Sequence, residues 1–317
     1  MRAVFVDFGT VSNGDLDTSP LERALPGIVI HEVTTAAELP ARIAGCEVVL
    51  LNKARISREL MSANPQLRLI ALTATGTDNV DVAAARELGI AVCNLRDYCT
   101  PSVVQHVFAL LLALTHKIRE YDRLVRDGGW GQASQFSVFP YPIRELAGRT
   151  LGIVGLGALG SGVARVAQAF GMRVLVANRP GSDPKDGRLS LDELLPQVDV
   201  LSLHCPLNTA TRGLIGEREL ALMRPDAVLI NTARGALVDA TALARALREG
   251  RLGGAGIDVL EREPPVDGNP LLDPGIPNLI VTPHVAWAAR EARQRCLDEL
   301  ALNVEAFQRS ERRNRVD

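Results

Sequence analysis

Apolar and polar positions along the chain fall into two alternating series. From residue 1 to about 98, β-rich runs ("AVFVDF", "IVIHEV", "EVVLLN", "LRLIALTAT", "IAVCN") are separated by helical stretches such as "AAELPARIAG", "SRELMSANP" and "VDVAAARELG". A second series opens at "RTLGIVGLGALG" and runs through "MRVLVAN", "VDVLSLHC", "AVLINTAR", "GGAGIDVL" and "NLIVTPH". Strands that alternate with helices predict parallel pairing in a layered α/β architecture. Between the two series, "TPSVVQHVFALLLALTHKIREYDRLVRDGGW" predicts one helix, with Thr100 as its cap, Pro101 in its first turn and Gly128 and Gly129 after its end. At about 26 residues it exceeds most globular helices, and its apolar surface predicts burial between domains or subunits. The last segment, "AAREARQRCLDELALNVEAFQRS", is helical again, and its place after the second series lets it pack back on the first.

A length of 317 residues exceeds what one hydrophobic core sustains, so two domains are expected. With 47% hydrophobic and 23% charged residues the chain has the makeup of a globular protein and not of a disordered one. A net charge of -2 and a pI near 6.3 provide no basic field, which argues against a nucleic-acid partner. The arginine-rich end "RSERRNRVD" is short and mixed in sign, and reads as a solvated terminus. Five cysteines (Cys46, Cys93, Cys99, Cys205, Cys296) without a CxxC pair imply neither a disulfide framework nor a zinc site, and fit a reducing compartment. The N-terminus lacks the apolar run of a signal peptide, and "VFALLLALTHKI" is too short to span a bilayer. The expectation is a cytoplasmic protein with no membrane partner and no metal.

In "LGIVGLGALGSGVARVAQAFG", Gly155, Gly157 and Gly160 follow a β-branched strand and open a helix, and a second strand ends 18 residues past Gly160. A lone GxGxxG is weak, but this context is the one a Rossmann dinucleotide fingerprint requires. Such glycines allow a tight turn and a close approach of backbone to pyrophosphate, and the helix N-terminus adds partial positive charge. Three ionisable residues then stand just beyond predicted strands: Arg234 after "AVLINTA", Glu263 after "GAGIDVLER" and His284 after "NLIVTP". Ligands of open parallel sheets bind outside the carboxyl ends of the strands, so all three are placed to share a site. Taken singly, each also reads as a surface charge, a turn residue or a core histidine. Together they match hydride transfer to a 2-keto acid. Arg234 is a fixed cation for the carboxylate, His284 a proton donor for the developing alkoxide, and Glu263 a carboxylate that orients it and favours its charged form.

The stretches "GLGALG", "LHCPLNTATRGLIG", "LINTARGALVD", "GIDVLEREPP" and "VTPHVAW", in this order, resemble the D-isomer-specific 2-hydroxyacid dehydrogenase family, especially its glycerate dehydrogenase and hydroxypyruvate or glyoxylate reductase members. The resemblance runs nearly end to end. It implies that Arg234 binds substrate, that Glu263 partners the histidine and that His284 is the general acid/base. It also implies a homodimer and a division into a Rossmann dinucleotide-binding domain (99–287) and a smaller, discontinuous flavodoxin-like substrate domain (1–98 and 288–317), both with parallel sheets. By the same similarity "ATGTDNVD" is the carboxylate loop, with the Thr75 and Gly76 N–H groups facing substrate, and Asn79 and Val80 read as opening a helix behind it. Asn52 and Lys53 end a strand on that side, and Lys53 is either a substrate cation or a solvated lysine. Ala158 and Leu159 complete the glycine loop. His204, Cys205 and Pro206 resemble the loop passing the cofactor's adenosine side, Thr211 a phosphate neighbour, and Thr232, Ala233, Asp258 and Ala286 the surroundings of the nicotinamide. Cys205 reads as a packing residue, and Trp287 as either a pocket wall or core.

The chain departs from the family at "VLVANRPG", where an acidic residue that would accept hydrogen bonds from a ribose 2′-hydroxyl is replaced by Asn178, followed by Arg179. Loss of that negative charge and gain of a phosphate partner favour NADP(H), with NAD(H) still usable. At 317 residues the chain is also expected to lack the regulatory domain of the longer phosphoglycerate dehydrogenases. Two other readings remain open on this fold: a non-enzymatic, dinucleotide-sensing interaction protein, and a relative that takes formate or phosphite as donor.

Overall fold

A computed structural model describes residues 1–178 and 187–317. Contacts between Cα positions divide the chain into two compact units, Met1–Cys99 with Trp287–Asp317, and Thr100–Ala286. The first unit runs β1 (Ala3–Phe5), α1 (Ser19–Ala24), β2 (Val29–Ile30), α2 (Leu39–Ile43), β3 (Val48–Leu51), α3 (Arg58–Ser62), β4 (Leu69–Leu72), α4 (Val82–Glu87) and β5 (Ala91–Cys93). Its strands pair in parallel in the order β2-β1-β3-β4-β5, the doubly wound order whose switch point lies between β1 and β3. The sequences VVLL and LIAL of β3 and β4 are buried throughout, as strands covered on both faces require. "IVIHEV" contributes only the two-residue β2, because this edge has a partner on one side. α4 begins at Val82, capped by the Asp81 carboxylate on the Ala84 N–H, so Asn79 and Val80 precede the helix in a turn instead of opening it.

The second unit opens with α5 (Thr100–His116), which begins at Thr100 itself, and α6 (Ile118–Arg126). The single long helix expected here is broken at Lys117, whose φ of 53° lies in the left-handed region, and the two helices diverge by 56°. α5 is held by buried Val103, Val107, Leu110, Leu111 and Leu114 and by Phe108 stacked on Phe170 at 5.4 Å. α6 buries nothing, so no packing keeps it in line, and Lys117 Nζ is drawn instead to Asn278 Oδ1 at 2.6 Å. Then follow β6 (Thr150–Val154), α7 (Ala158–Ala169), β7 (Arg173–Val176), α8 (Leu191–Leu194), β8 (Val200–Leu203), α9 (Glu217–Leu222), β9 (Val228–Asn231), α10 (Ala240–Arg248), β10 (Gly254–Ile257) and β11 (Leu279–Val281). They form a parallel sheet in the order β11-β10-β9-β8-β6-β7, with the switch point between β6 and β8. A final helix, α11 (Arg290–Gln308), rejoins the first unit, burying Cys296, Leu297, Leu300 and Val304 among side chains of α1 and β4. Among the described residues no single helix is long and apolar enough to cross a membrane.

Candidate active site

The glycine loop leaves β6 at the switch point of the second sheet. Gly155 has φ of 100°, and a Cβ there would stand 2.5 Å from Cys205 N and 2.6 Å from His204 C, so only glycine lets the two strand ends meet. A Cβ on Gly160 would stand 2.1 Å from Gly155 O, which fixes α7 against the loop. Gly157, the N-cap of α7, has no atom of the described residues within 4 Å of where a Cβ would stand, the gap an approaching anion needs at a helix N-terminus. Two buried polar atoms near this edge have no partner among the described residues: His204 Nδ1 beyond β8 and Thr232 Oγ1 beyond β9. An open helix terminus and orphaned polar atoms beside it fit a dinucleotide, with its pyrophosphate at Gly157, Ala158 and Leu159.

The Thr211 hydroxyl is buried and donates to Pro206 O at 2.7 Å, holding its own turn. Burial raises the Cys205 thiol above its ordinary value, which suits packing rather than nucleophilic chemistry. His204 lies 2.8 Å from Ser202 Oγ through Nε2, and burial lowers its imidazole to about 4, so it is neutral at neutral pH. Asn178 follows β7, its N–H bonded to Leu189 O at 2.6 Å, and Arg179 lies outside the described residues.

Arg234, Glu263 and His284 follow three neighbouring strands, β9, β10 and β11. The Asn231 side chain, fully buried, accepts from Ala233 N and donates to Arg234 O, which sets the direction of the arginine. A Cβ on the next residue, Gly235, would stand 2.0 Å from Leu260 C, so the exit of β9 lies against the turn that carries Glu263. Arg234 Nη1 donates to Ala233 O at 2.8 Å, and among the described residues no carboxylate pairs with it. Glu263 accepts from Leu260 N through Oε1 (2.8 Å) and from His284 Nδ1 through Oε2 (2.6 Å). A proton held on Nδ1 leaves Nε2 as the nitrogen that exchanges protons.

His284 has a φ of 55°, a backbone state costly for a residue with a Cβ. The buried Asp258 holds it there: its carboxylate accepts from Thr282 Oγ1 (2.5 Å), Val285 N (2.9 Å) and Ala286 N (2.9 Å), and its carbonyl accepts from His284 N (2.8 Å). The Thr282 hydroxyl proton is spent on Asp258, so His106 Nε2 donates to Thr282 Oγ1 at 3.0 Å. Asp258 and the Ala286 N–H thus brace the histidine turn. His106 and Thr282 were not legible as site residues; the one signal is a histidine on the apolar face of α5.

In the first unit, Thr75 O accepts from Asn94 Nδ2 at 2.8 Å. Because a trans peptide points C=O and N–H oppositely, this turns the Gly76 N–H away from Asn94. Neither the Thr75 nor the Gly76 N–H donates to a described residue. Lys53 is exposed, whereas Asn52 is buried and gives its side chain to Thr10 Oγ1 at 2.9 Å. Trp287 packs edge-on against Tyr98 at 6.4 Å beside the first unit's core.

Comparison with known proteins gives this geometry a lineage. Residues 108–286 match the model for "D-isomer specific 2-hydroxyacid dehydrogenase, NAD binding domain". A glycerate dehydrogenase of Methylorubrum extorquens is 48% identical over 89% of both chains, and a hydroxypyruvate reductase of Blautia hydrogenotrophica is 37% identical over 97% of both. The solved NADPH-dependent glyoxylate/hydroxypyruvate reductase of Sinorhizobium meliloti superposes with a TM-score of 0.82 at 30% identity, covering 100% of this chain and 98% of that one. A nicotinamide-binding sheet, an acid–base pair beyond it and relatives matched along almost their whole length lead to one conclusion: the chain belongs to the D-isomer-specific 2-hydroxyacid dehydrogenases, oxidoreductases that act on a CH–OH group with a nicotinamide cofactor.

Proposed function

We propose that this protein interconverts a short 2-keto acid and its D-2-hydroxy acid, with hydroxypyruvate or glyoxylate as the keto acid and NADP(H) as the favoured cofactor. The observation that carries the reaction is the 2.6 Å bond from His284 Nδ1 to the Glu263 carboxylate. A bound nicotinamide supplies or takes up the hydride. Arg234 is permanently charged, and its planar fork suits a carboxylate, so it holds the acid end of the substrate. The Thr75 and Gly76 N–H groups and the Lys53 ammonium of the first unit, the substrate-binding one in this reading, add to that hold. His284 gives the proton on Nε2 to the carbonyl oxygen as it becomes an alkoxide and retrieves it in the reverse direction, while Glu263 holds the ring through Nδ1.

The keto acid follows the names of the relatives. The cofactor preference follows Asn178, which removes the carboxylate that repels a 2′-phosphate, together with the charge of Arg179 read from sequence. One charge-assisted bond contributes about 1.5–3 kcal/mol, roughly 10- to 150-fold in affinity, enough for preference without exclusion. We place the protein in the reducing cytoplasm, which its five free cysteines support. A matrix of glyoxylate, hydroxypyruvate, pyruvate and phenylpyruvate against NADPH and NADH tests the proposal. Fastest turnover of hydroxypyruvate or glyoxylate with NADPH is expected. No turnover of any keto acid would favour a dinucleotide sensor or a formate or phosphite donor, and a lower KM for NADH would overturn the cofactor assignment.

A further inference from the structure

The first sheet carries a polar clamp at its own switch point, made by two side chains given no role so far, Asp7 and Asn79. Asp7 leaves β1 as a carboxylate only 5% exposed. Its Oδ1 accepts from Asn52 N (2.8 Å), and its Oδ2 accepts from Lys53 N (2.6 Å) and Ala54 N (2.8 Å). The Asn79 amide closes the other side, donating to Asn52 O (3.2 Å) and Ala54 O (2.8 Å), and Ile56 bridges to Val80 in parallel. The turn after β3 is thereby gripped at its N–H groups from β1 and at its carbonyls from the loop after β4.

From this we infer that Asp7 and Asn79 are positioning residues for the keto acid, setting where the exposed Lys53 and the Thr75-Gly76 loop stand when substrate binds. The inference rests on the proposed substrate role of this loop. Burying a carboxyl group is unfavourable unless its oxygens are hydrogen-bonded, and here one turn supplies three N–H groups to them. The switch point is also where a doubly wound sheet takes its ligand. The Asp7 and Asn79 side chains come from beyond β1 and β4, the two strands that flank β3, and converge on the same three residues at its exit, Asn52, Lys53 and Ala54. The Asn79 bonds additionally tie the Lys53 turn to the loop holding Thr75 and Gly76, so the two substrate-facing segments move as one piece.

The experiment uses the full chain and the variants Asp7→Asn, Asn79→Ala, Lys53→Ala and the Asp7→Asn/Lys53→Ala pair, each measured for kcat, keto-acid KM, NADPH KM and Tm. Loss of a supporting partner of this kind weakens a site about 10- to 100-fold. The expected result is a rise of that size in keto-acid KM for Asp7→Asn and Asn79→Ala, with NADPH KM within about twofold of wild type. The paired variant should be scarcely worse than Lys53→Ala alone, because both act through one turn. An effect of Asp7→Asn with none of Lys53→Ala supports positioning through the loop backbone. If Lys53→Ala raises KM and neither Asp7→Asn nor Asn79→Ala does, or if both cofactor and substrate KM rise together, the inference is wrong while the substrate reading stands. If none of the variants changes keto-acid KM, the substrate reading of the loop fails and the inference with it. Should Asp7→Asn not fold, Asn79→Ala decides by the same readout.

Discussion

His284, Glu263 and Arg234 are each asked for one thing in this reading, so their loss is measurable separately. His284→Ala and Arg234→Ala should each lower kcat/KM for the keto acid by at least about 100-fold, the usual scale for a lost acid/base or carboxylate partner. Near-normal steady-state turnover in either variant would remove that residue from the mechanism. His204 makes a prediction of a different kind. Burial holds its imidazole at about 4 in the folded chain against an ordinary 6.5, so between those values the unfolded chain binds the extra proton. Folding stability is therefore complete above about pH 6.5 and falls as pH drops toward 4, by on the order of 3 kcal/mol. Urea unfolding from pH 7 to pH 4 should show this slope, and His204→Gln, which does not titrate, should lose that part of it. Equal slopes in the two proteins would contradict the assignment.

The elements show why some residues of the site announce themselves and others do not. The glycine loop was legible because its requirements are local: a turn, a helix start and a backbone that must be approached. Its glycines nevertheless do different work. Gly160→Ala would drive a methyl into Gly155 O and should destabilise the second unit by about 1–3 kcal/mol, the range for overpacking. Gly157→Ala meets nothing within 4 Å among the described residues and should leave Tm unchanged while raising the NADPH KM at least about tenfold, by standing where phosphate approaches. A fall in Tm for Gly157→Ala, or none for Gly160→Ala, would reverse these roles. The break at Lys117 was illegible for the opposite reason. Helix-forming residues run straight through it, and the helix stops where the packing surface ends after Thr115. The start of α4 was misplaced because Asn79 and Asp81 are both good caps, and the choice falls to Asp81 once Asn79 is engaged by the Lys53 turn.

At the scale of the whole molecule, the segment after α6 exposes Trp130, Phe136 (90%) and Phe139 (81%), more apolar surface than water-facing chain usually carries. Trp130 Nε1 donates to Phe136 O at 2.9 Å, so the segment is folded on itself. We propose a second copy of the chain as its cover. Light scattering should give twice 34.1 kDa, and Phe136→Asp/Phe139→Asp should halve that mass. A monomeric wild type would refute the dimer.

The sequence by itself determined the alternation of strands and helices, the two parallel sheets, the glycine fingerprint and the order in which Arg234, Glu263 and His284 leave their strands. These follow from periodicity and from steric demands within a few residues, which a linear pattern records. Tertiary structure alone decided which polar groups meet. It brought His284 onto Glu263 across 21 positions, turned Asp258 and Thr211 inward to hold their own turns, gave the Asn52 side chain to Thr10 and set Asp7 beneath Lys53. A buried polar group takes whichever partner packing places beside it, and that distance is written in no stretch of chain short enough to read.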